Sequence, residues 1–153
     1  MYLFLPIVYL SLVATLSTTC SDDDLYVIRS AAPSGLVLDA TDPTQIKIQH
    51  FNGFSTQLWK FERAPRPGLY YIINSYSGKV LDFESRDFVD VVLSERTNTP
   101  NQQWSLTLNG RIVNVAKKFK VDIYKQDFTP GVHVILWNDS QSVNEEFVLE
   151  KKV

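Results

Sequence analysis

From residue 25 onward the apolar side chains occur in short runs of β-branched and aromatic residues, broken every few positions by Gly, Pro, Asn or Ser. Nowhere do ten residues keep the three-four spacing of an amphipathic helix, so the pattern predicts an all-β chain. Twelve short strands are expected. The first eight are Leu25 to Arg29, Leu36 to Asp39, Ile46 to Gln49, Leu58 to Glu62, Tyr70 to Asn74, Val80 to Asp82, Val91 to Leu93 and Trp104 to Leu108. The last four are Arg111 to Val115, Lys120 to Asp122, Val134 to Trp137 and Phe147 to Leu149.

These strands recur as a set of four, three times over. The segments IKIQHFNGFSTQLW (46–59), VVLSERTNTPNQQW (91–104) and VILWNDSQSVNEEF (134–147) align without a gap, at offsets of 45 and 43 residues. Upstream of each stands an apolar residue followed by aspartate: Leu38-Asp39, Leu81-Asp82 and Val121-Asp122. Each segment closes on an aromatic residue, Trp59, Trp104 or Phe147, two positions after Gln57, Gln102 or Glu145. A four-stranded unit of this size cannot bury its own apolar face, so three must pack together. Trp59, Trp104 and Phe147 are then expected in equivalent core positions around a pseudo-threefold axis.

Composition agrees with one globular body. The chain has 153 residues, 44% apolar and 21% charged, with a net charge of −2. So weak and balanced a charge makes nucleic acid a poor partner. The first 20 residues carry no charged side chain and end in Ser17-Thr18-Thr19-Cys20 before the acidic Asp22 to Asp24. That plan predicts a secretory signal peptide over 1–20 and an extracellular location, against the alternatives of an uncleaved anchor or a lipidated Cys20. A single domain over 21–153 follows, with repeats at about 25–63, 69–108 and 110–150. Cleavage after Cys20 would leave a mature chain without cysteine, hence without disulfides or a thiol nucleophile. His50 and His133 are the only histidines and lie far apart in the repeat frame, so neither a metal nor another cofactor is expected.

The repeated Gln-any-Trp motif, with SGLVLD at 34–39, SGKVLD at 77–82 and PNQQW at 100–104, resembles that of the ricin B-type lectins. The resemblance spans residues 25–150 and implies a β-trefoil of twelve short strands in three pseudo-threefold repeats. It also implies a non-catalytic carbohydrate-binding protein for galactose or N-acetylgalactosamine, with glycans or glycoproteins as partners and membranes reached only through glycoconjugates. In that family a pocket needs an aspartate ending the second strand, an aromatic platform ending the third, and an asparagine just before the motif. A carboxylate accepts from sugar hydroxyls, an amide donates and accepts, and an aromatic face packs on the apolar face of galactose.

Carried over residue by residue, the third repeat offers all three: Asp122, Trp137 and Asn144. The second offers Asp82 and Asn101, with Ser94 at the platform position. The first offers Asp39, with Gln49 and Thr56 at the other two positions and His50 and Phe51 beside them. Each aspartate taken singly also fits a turn residue bonded to its own backbone. Glu145 replaces the motif glutamine, and a second carboxylate there would press on Asp122 by like-charge repulsion. Asn138-Asp139-Ser140 is a glycosylation sequon directly after Trp137, making Asn138 the acceptor. The competing reading is a trefoil interaction module or protease inhibitor that has lost sugar binding, acting through loops such as Ala64 to Gly68 or Phe128 to Val132. No nucleophile-base pair or paired carboxylates argue for an enzyme.

Overall fold

The computed structural model describes residues 23–85, 89–138 and 141–153; the leader over 1–20 and the sequon positions Asp139 and Ser140 lie outside them. All twelve expected strands are present, and no α-helix occurs among the described residues. They are β1 (Leu25–Ser30), β2 (Val37–Asp39), β3 (Lys47–Gln49), β4 (Trp59–Arg63), β5 (Leu69–Asn74) and β6 (Val80–Ser85). There follow β7 (Val89–Ser94), β8 (Trp104–Leu106), β9 (Ile112–Asn114), β10 (Lys120–Ile123), β11 (Val134–Trp137) and β12 (Phe147–Lys152).

Six of them form a barrel. Antiparallel pairing runs β12–β1, β1–β4, β4–β5, β5–β8 and β8–β9. The ring is completed where the Phe147 amide donates to the Gly110 carbonyl at 2.9 Å, just ahead of β9. Only glycine fits there: its φ is +80°, and a Cβ would stand 2.2 Å from the Phe147 carbonyl oxygen. The other six strands pair as hairpins, β2–β3, β6–β7 and β10–β11, that cap the barrel. They meet at equivalent residues of the three repeats, with Ile46 N donating to Val91 O at 3.0 Å and Val134 N to Ile46 O at 2.9 Å.

Strand alternation sends one face inward. In β4, Trp59 and Phe61 are buried while Lys60 and Glu62 are only partly covered. Trp59, Trp104 and Phe147 sit in one core with Ile28, Leu38, Ile72, Leu81, Val121 and Leu136. Both indoles also find an acceptor in the hairpin above, Trp59 Nε1 at 3.4 Å from Leu38 O and Trp104 Nε1 at 3.0 Å from Leu81 O. Phe147 has no such donor, so the third repeat keeps the packing without that bond.

The pseudo-threefold relation is written in the seams between repeats. Ala31 N donates to Glu146 O, Ser75 N to Leu58 O and Val115 N to Gln103 O, at 2.8, 2.8 and 3.0 Å. Buried asparagines reinforce two of these seams. Asn74 Nδ2 donates to Thr56 O at 3.0 Å and Asn114 Nδ2 to Asn101 O at 2.7 Å, while each Oδ1 caps the following turn. Ser30 takes the corresponding place in the first repeat and caps Ala32 N at 3.2 Å.

Candidate functional site

In every repeat the aspartate of the second strand is met by a 3-10 turn that comes just before the fourth strand. Those turns are Ser55–Gln57, Pro100–Gln102 and Val143–Glu145. In the first repeat the buried Gln57 amide donates from Nε2 to Asp39 Oδ2 at 2.8 Å and to His50 O at 2.9 Å, while its Oε1 accepts Asn52 N at 2.8 Å. Gln102 repeats this in the second: Nε2 to Asp82 Oδ2 at 3.0 Å and to Glu95 O at 2.8 Å, with Oε1 accepting Thr97 N at 2.8 Å. The motif glutamine is therefore a clamp that fixes both the carboxylate and the loop after the third strand.

The third repeat cannot repeat it, because Glu145 has no N–H to offer. Asn144 donates from Nδ2 to Asp122 Oδ2 at 2.8 Å instead, and the Ser142 hydroxyl donates to Asn144 Oδ1. Glu145 is fully buried, with Oε2 at 3.6 Å from Arg111 Nε and 3.5 Å from Lys120 Nζ. Two cations thus surround the carboxylate that stands where the other repeats have a neutral amide.

Asp122, Trp137 and Asn144 do line one cavity, of about 410 Å³, together with Tyr124, Lys125, Gln126 and Ile135. Of the three, only the platform is exposed. Trp137 is 50% exposed, whereas Asp122 and Asn144 are 4% and 2% exposed. The aspartate forms the floor, the asparagine holds it, and the indole stands free at the end of β11. A carboxylate so placed offers lone pairs to ligand hydroxyls, and the half-exposed indole offers a flat apolar face.

The far wall was not foreseen. After Ile123 the chain enters a 3-10 turn, Tyr124–Gln126, in which Lys125 (φ 54°, ψ 18°) and Gln126 (φ 56°) are both left-handed. Two consecutive side-chain-bearing residues in that well cost on the order of 1 kcal/mol each. The turn is anchored by Tyr124 N donating to His133 O at 3.2 Å and by the Tyr124 ring stacked on His133 at 4.6 Å. The one sequence signal for this wall is position, since it begins two residues after Asp122.

The secondary candidates are placed differently. Asp39, Gln49 and His50 line a second cavity of about 450 Å³ with Thr41, Asp42, Lys47 and Asn52. Asp39 is also a turn residue, its Oδ1 accepting Thr41 N at 2.7 Å. Asp42 has its carboxyl held below the usual range, first by the Thr44 hydroxyl and amide and less by Lys47 at 3.6 Å. Phe51 lies at the surface with Arg29 and Lys152 over its ring. In the second repeat the β6–β7 ladder continues past Asp82↔Val92 to Ser85↔Val89, so the strand does not turn at the carboxylate. Asp82 Oδ1 accepts the adjacent Phe83 N at 2.8 Å, and Ser94 lies at the platform position opposite Val80. Asn101 is exposed and its main-chain carbonyl serves the seam to Asn114.

Asn138, the sequon asparagine, is exposed beyond Trp137, and its carbonyl accepts Lys120 Nζ at 3.2 Å. Among the described residues no group of three or more His, Cys, Asp or Glu side chains converges as a metal site requires.

Residues 55–137 match the family described as ricin-type beta-trefoil lectin domain-like. Insecticidal crystal protein Cry35Ab1 of Bacillus thuringiensis is 28% identical over 110 residues, 70% of this chain and 28% of that protein, so the chain spans under a third of that relative's length. Among solved structures, the designed threefold-symmetric protein ThreeFoil superposes with a TM-score of 0.74 at 23% identity, over 82% of this chain and 96% of that one. A ricin B-like lectin of Macrolepiota procera, solved in complex with lactose, superposes with a TM-score of 0.74 at 20% identity, over 88% of this chain and all of that one (100%).

Proposed function

This chain belongs to the ricin-type beta-trefoil lectin domain-like family, and from that premise we propose that it is a non-catalytic carbohydrate-binding protein whose third repeat holds galactose- or N-acetylgalactosamine-type termini. One observation carries the assignment: Asp122, held by Asn144, and the half-exposed Trp137 line a single cavity. In this reading Asp122 accepts hydrogen bonds from two sugar hydroxyls, Asn144 fixes that carboxylate, and the Trp137 indole packs on the apolar sugar face. The Macrolepiota lectin, whose structure contains a galactose-terminated disaccharide, supports the choice of sugar.

Among the described residues, Asp122 is the one carboxylate lining the cavity. Glycoside hydrolysis uses two carboxylates facing one bond, so the lining favours binding without turnover. A small open site of this kind binds in the millimolar range, about −4 kcal/mol, and gains avidity by multivalent display. The apolar leader over 1–20 supports a secreted protein acting on glycans outside the cell, with a mature terminus near Ser21.

Calorimetric titration of the folded, unglycosylated protein with lactose tests the reading. Heat that saturates at millimolar ligand and vanishes in Asp122→Ala is expected. No heat with any of several galactosides would favour the trefoil interaction module instead.

A further inference from the structure

The third-repeat cavity carries a cation that a neutral sugar does not need. Lys125 lines it, and no carboxylate is paired with this ammonium among the described residues; its one aromatic contact is the Tyr124 ring at 5.2 Å. Several other lysines are engaged with acids: Lys47 with Asp42, Lys79 with Glu95, Lys120 with Glu145 and Lys151 with Asp24. Asp127, two residues along, is turned to its own backbone, Oδ1 accepting Thr129 N at 3.0 Å.

Backbone conformation adds a second, independent observation. Lys125 and Gln126 both occupy the left-handed region, where neither is glycine and neither gains from being there in isolation. Strain of this sort persists where the surrounding fold over-determines it, and it clusters at ligand-holding sites. Here it places a long cationic side chain on the wall of a cavity whose floor is a carboxylate and whose other wall is an indole. The two charges divide the work. Asp122 on the floor takes hydroxyls, while Lys125, on an exposed turn, is free to meet a group carried at the sugar's edge.

We propose that this cavity selects galactosides bearing a negatively charged substituent, a sulfate or a carboxylate, which pairs with Lys125. The inference rests on the third-repeat reading above and narrows its ligand class. Part-exposed ion pairs add little energy, so the preference over the neutral sugar is roughly three- to fivefold at low salt and shrinks as salt screens it.

The test is titration of wild type, Lys125→Gln and Lys125→Arg with three ligands: lactose, 3′-sulfolactose and 3′-sialyllactose. The quantity read is the ratio of anionic to neutral affinity within each protein. Wild type and Lys125→Arg should show a ratio above about three for one or both anionic ligands, and Lys125→Gln a ratio near one. Which ligand gives the larger ratio separates sulfate from carboxylate. Lactose binding with a ratio near one in wild type, or a ratio unchanged in Lys125→Gln, overturns the inference and leaves the galactoside reading standing. If none of the three binds folded protein, the third-repeat reading falls and this inference with it.

Discussion

Asn144 stands one residue before the motif position, yet its Nδ2 makes to Asp122 the bond that Gln57 makes to Asp39 and Gln102 to Asp82. The third repeat has exchanged its clamp without losing it. A glutamate at 145 cannot donate, and with Arg111 and Lys120 around it, it faces cations. The amide next to it has taken over the carboxylate.

Asn144→Ala should therefore do two things together. It removes the donor from a buried carboxylate, at a cost of about 1–3 kcal/mol in folding free energy, and it releases Asp122 from its binding geometry, so lactose binding should be lost. Gln102→Ala deletes the equivalent bond in the second repeat, and its fall in stability should leave lactose binding in place. Urea denaturation and calorimetry on the same two proteins separate the effects. Loss of binding in Gln102→Ala, or retention in Asn144→Ala, would contradict the assignment.

The tryptophans divide the molecule in the same way. Trp104 is wholly buried and bonded to Leu81 O, so Trp104→Ala should cost about 3–5 kcal/mol. Trp137 is half exposed at the end of its strand, so Trp137→Ala should change stability by under about 1 kcal/mol while removing the stacking face and the lactose signal. A thermal melt and a titration on each variant check both halves.

Much of this is legible in the sequence because a trefoil writes its symmetry three times. The gapless alignment of 46–59, 91–104 and 134–147 located the hairpins and the core aromatics, but of the three aspartates expected at strand ends only Asp39 closes its strand, β10 running on to Ile123 and β6 to Ser85. Strand ends were less readable where a distant partner sets them. β12 runs on to Lys152 because all six residues of β1 pair with it. β6 passes Asp82 because β7 matches it as far as Val89.

The candidate site was legible in its residues but not in their roles. Asp122, Trp137 and Asn144 do share a cavity. The 3-10 turn is three residues long in every repeat, so spacing does not tell that Asn144 makes the amide bond to the carboxylate that Glu145 cannot make. Tyr124, Lys125 and Gln126 escaped notice because left-handed backbone is flagged in a sequence by glycine, and this wall has none.

A glycine signal that does exist sharpens a third prediction. Gly78 N donates to Asn74 O, and Lys118 N donates to Asn114 O, both at 2.9 Å, with φ of 70° and 63°. Lys118 therefore stands in a turn that the second repeat builds with glycine. Lys118→Gly should raise stability by about 0.5 kcal/mol, since relief of roughly 1 kcal/mol of left-handed strain is partly offset by glycine's extra freedom when unfolded. Gly78→Ala should lower it by about 1 kcal/mol. Nothing lies within 4 Å of a Cβ built there, so the backbone alone is responsible. Melting temperatures of the two variants should move in opposite directions.

The first and last strands are fastened by a bidentate pair, Arg29 Nε to Glu150 Oε1 at 2.7 Å and a second guanidinium nitrogen to Oε2 at 2.9 Å, and this pair should give stability a defined acid limb. The Arg29 hydrogen bond is the main cause that holds the Glu150 carboxyl below its ordinary value, with the guanidinium charge adding to it and burial opposing it. A folded-state pKa below the unfolded one means that folding favours the ionised form. The contribution is thus fully present above the unfolded value, near pH 4.3, and is lost as pH falls through the folded one. Glu150 is 44% exposed, so solvent and salt hold the gain to under about 1 kcal/mol. Urea midpoints of wild type and Glu150→Gln should differ by a constant amount from about pH 7 down to pH 5, then converge as wild type protonates. Half-molar salt should narrow the plateau. A gap that widened on acidification would mean that Glu150 is destabilised, not favoured, as a carboxylate in the folded chain, and the two terminal strands would then be held by their ladder alone.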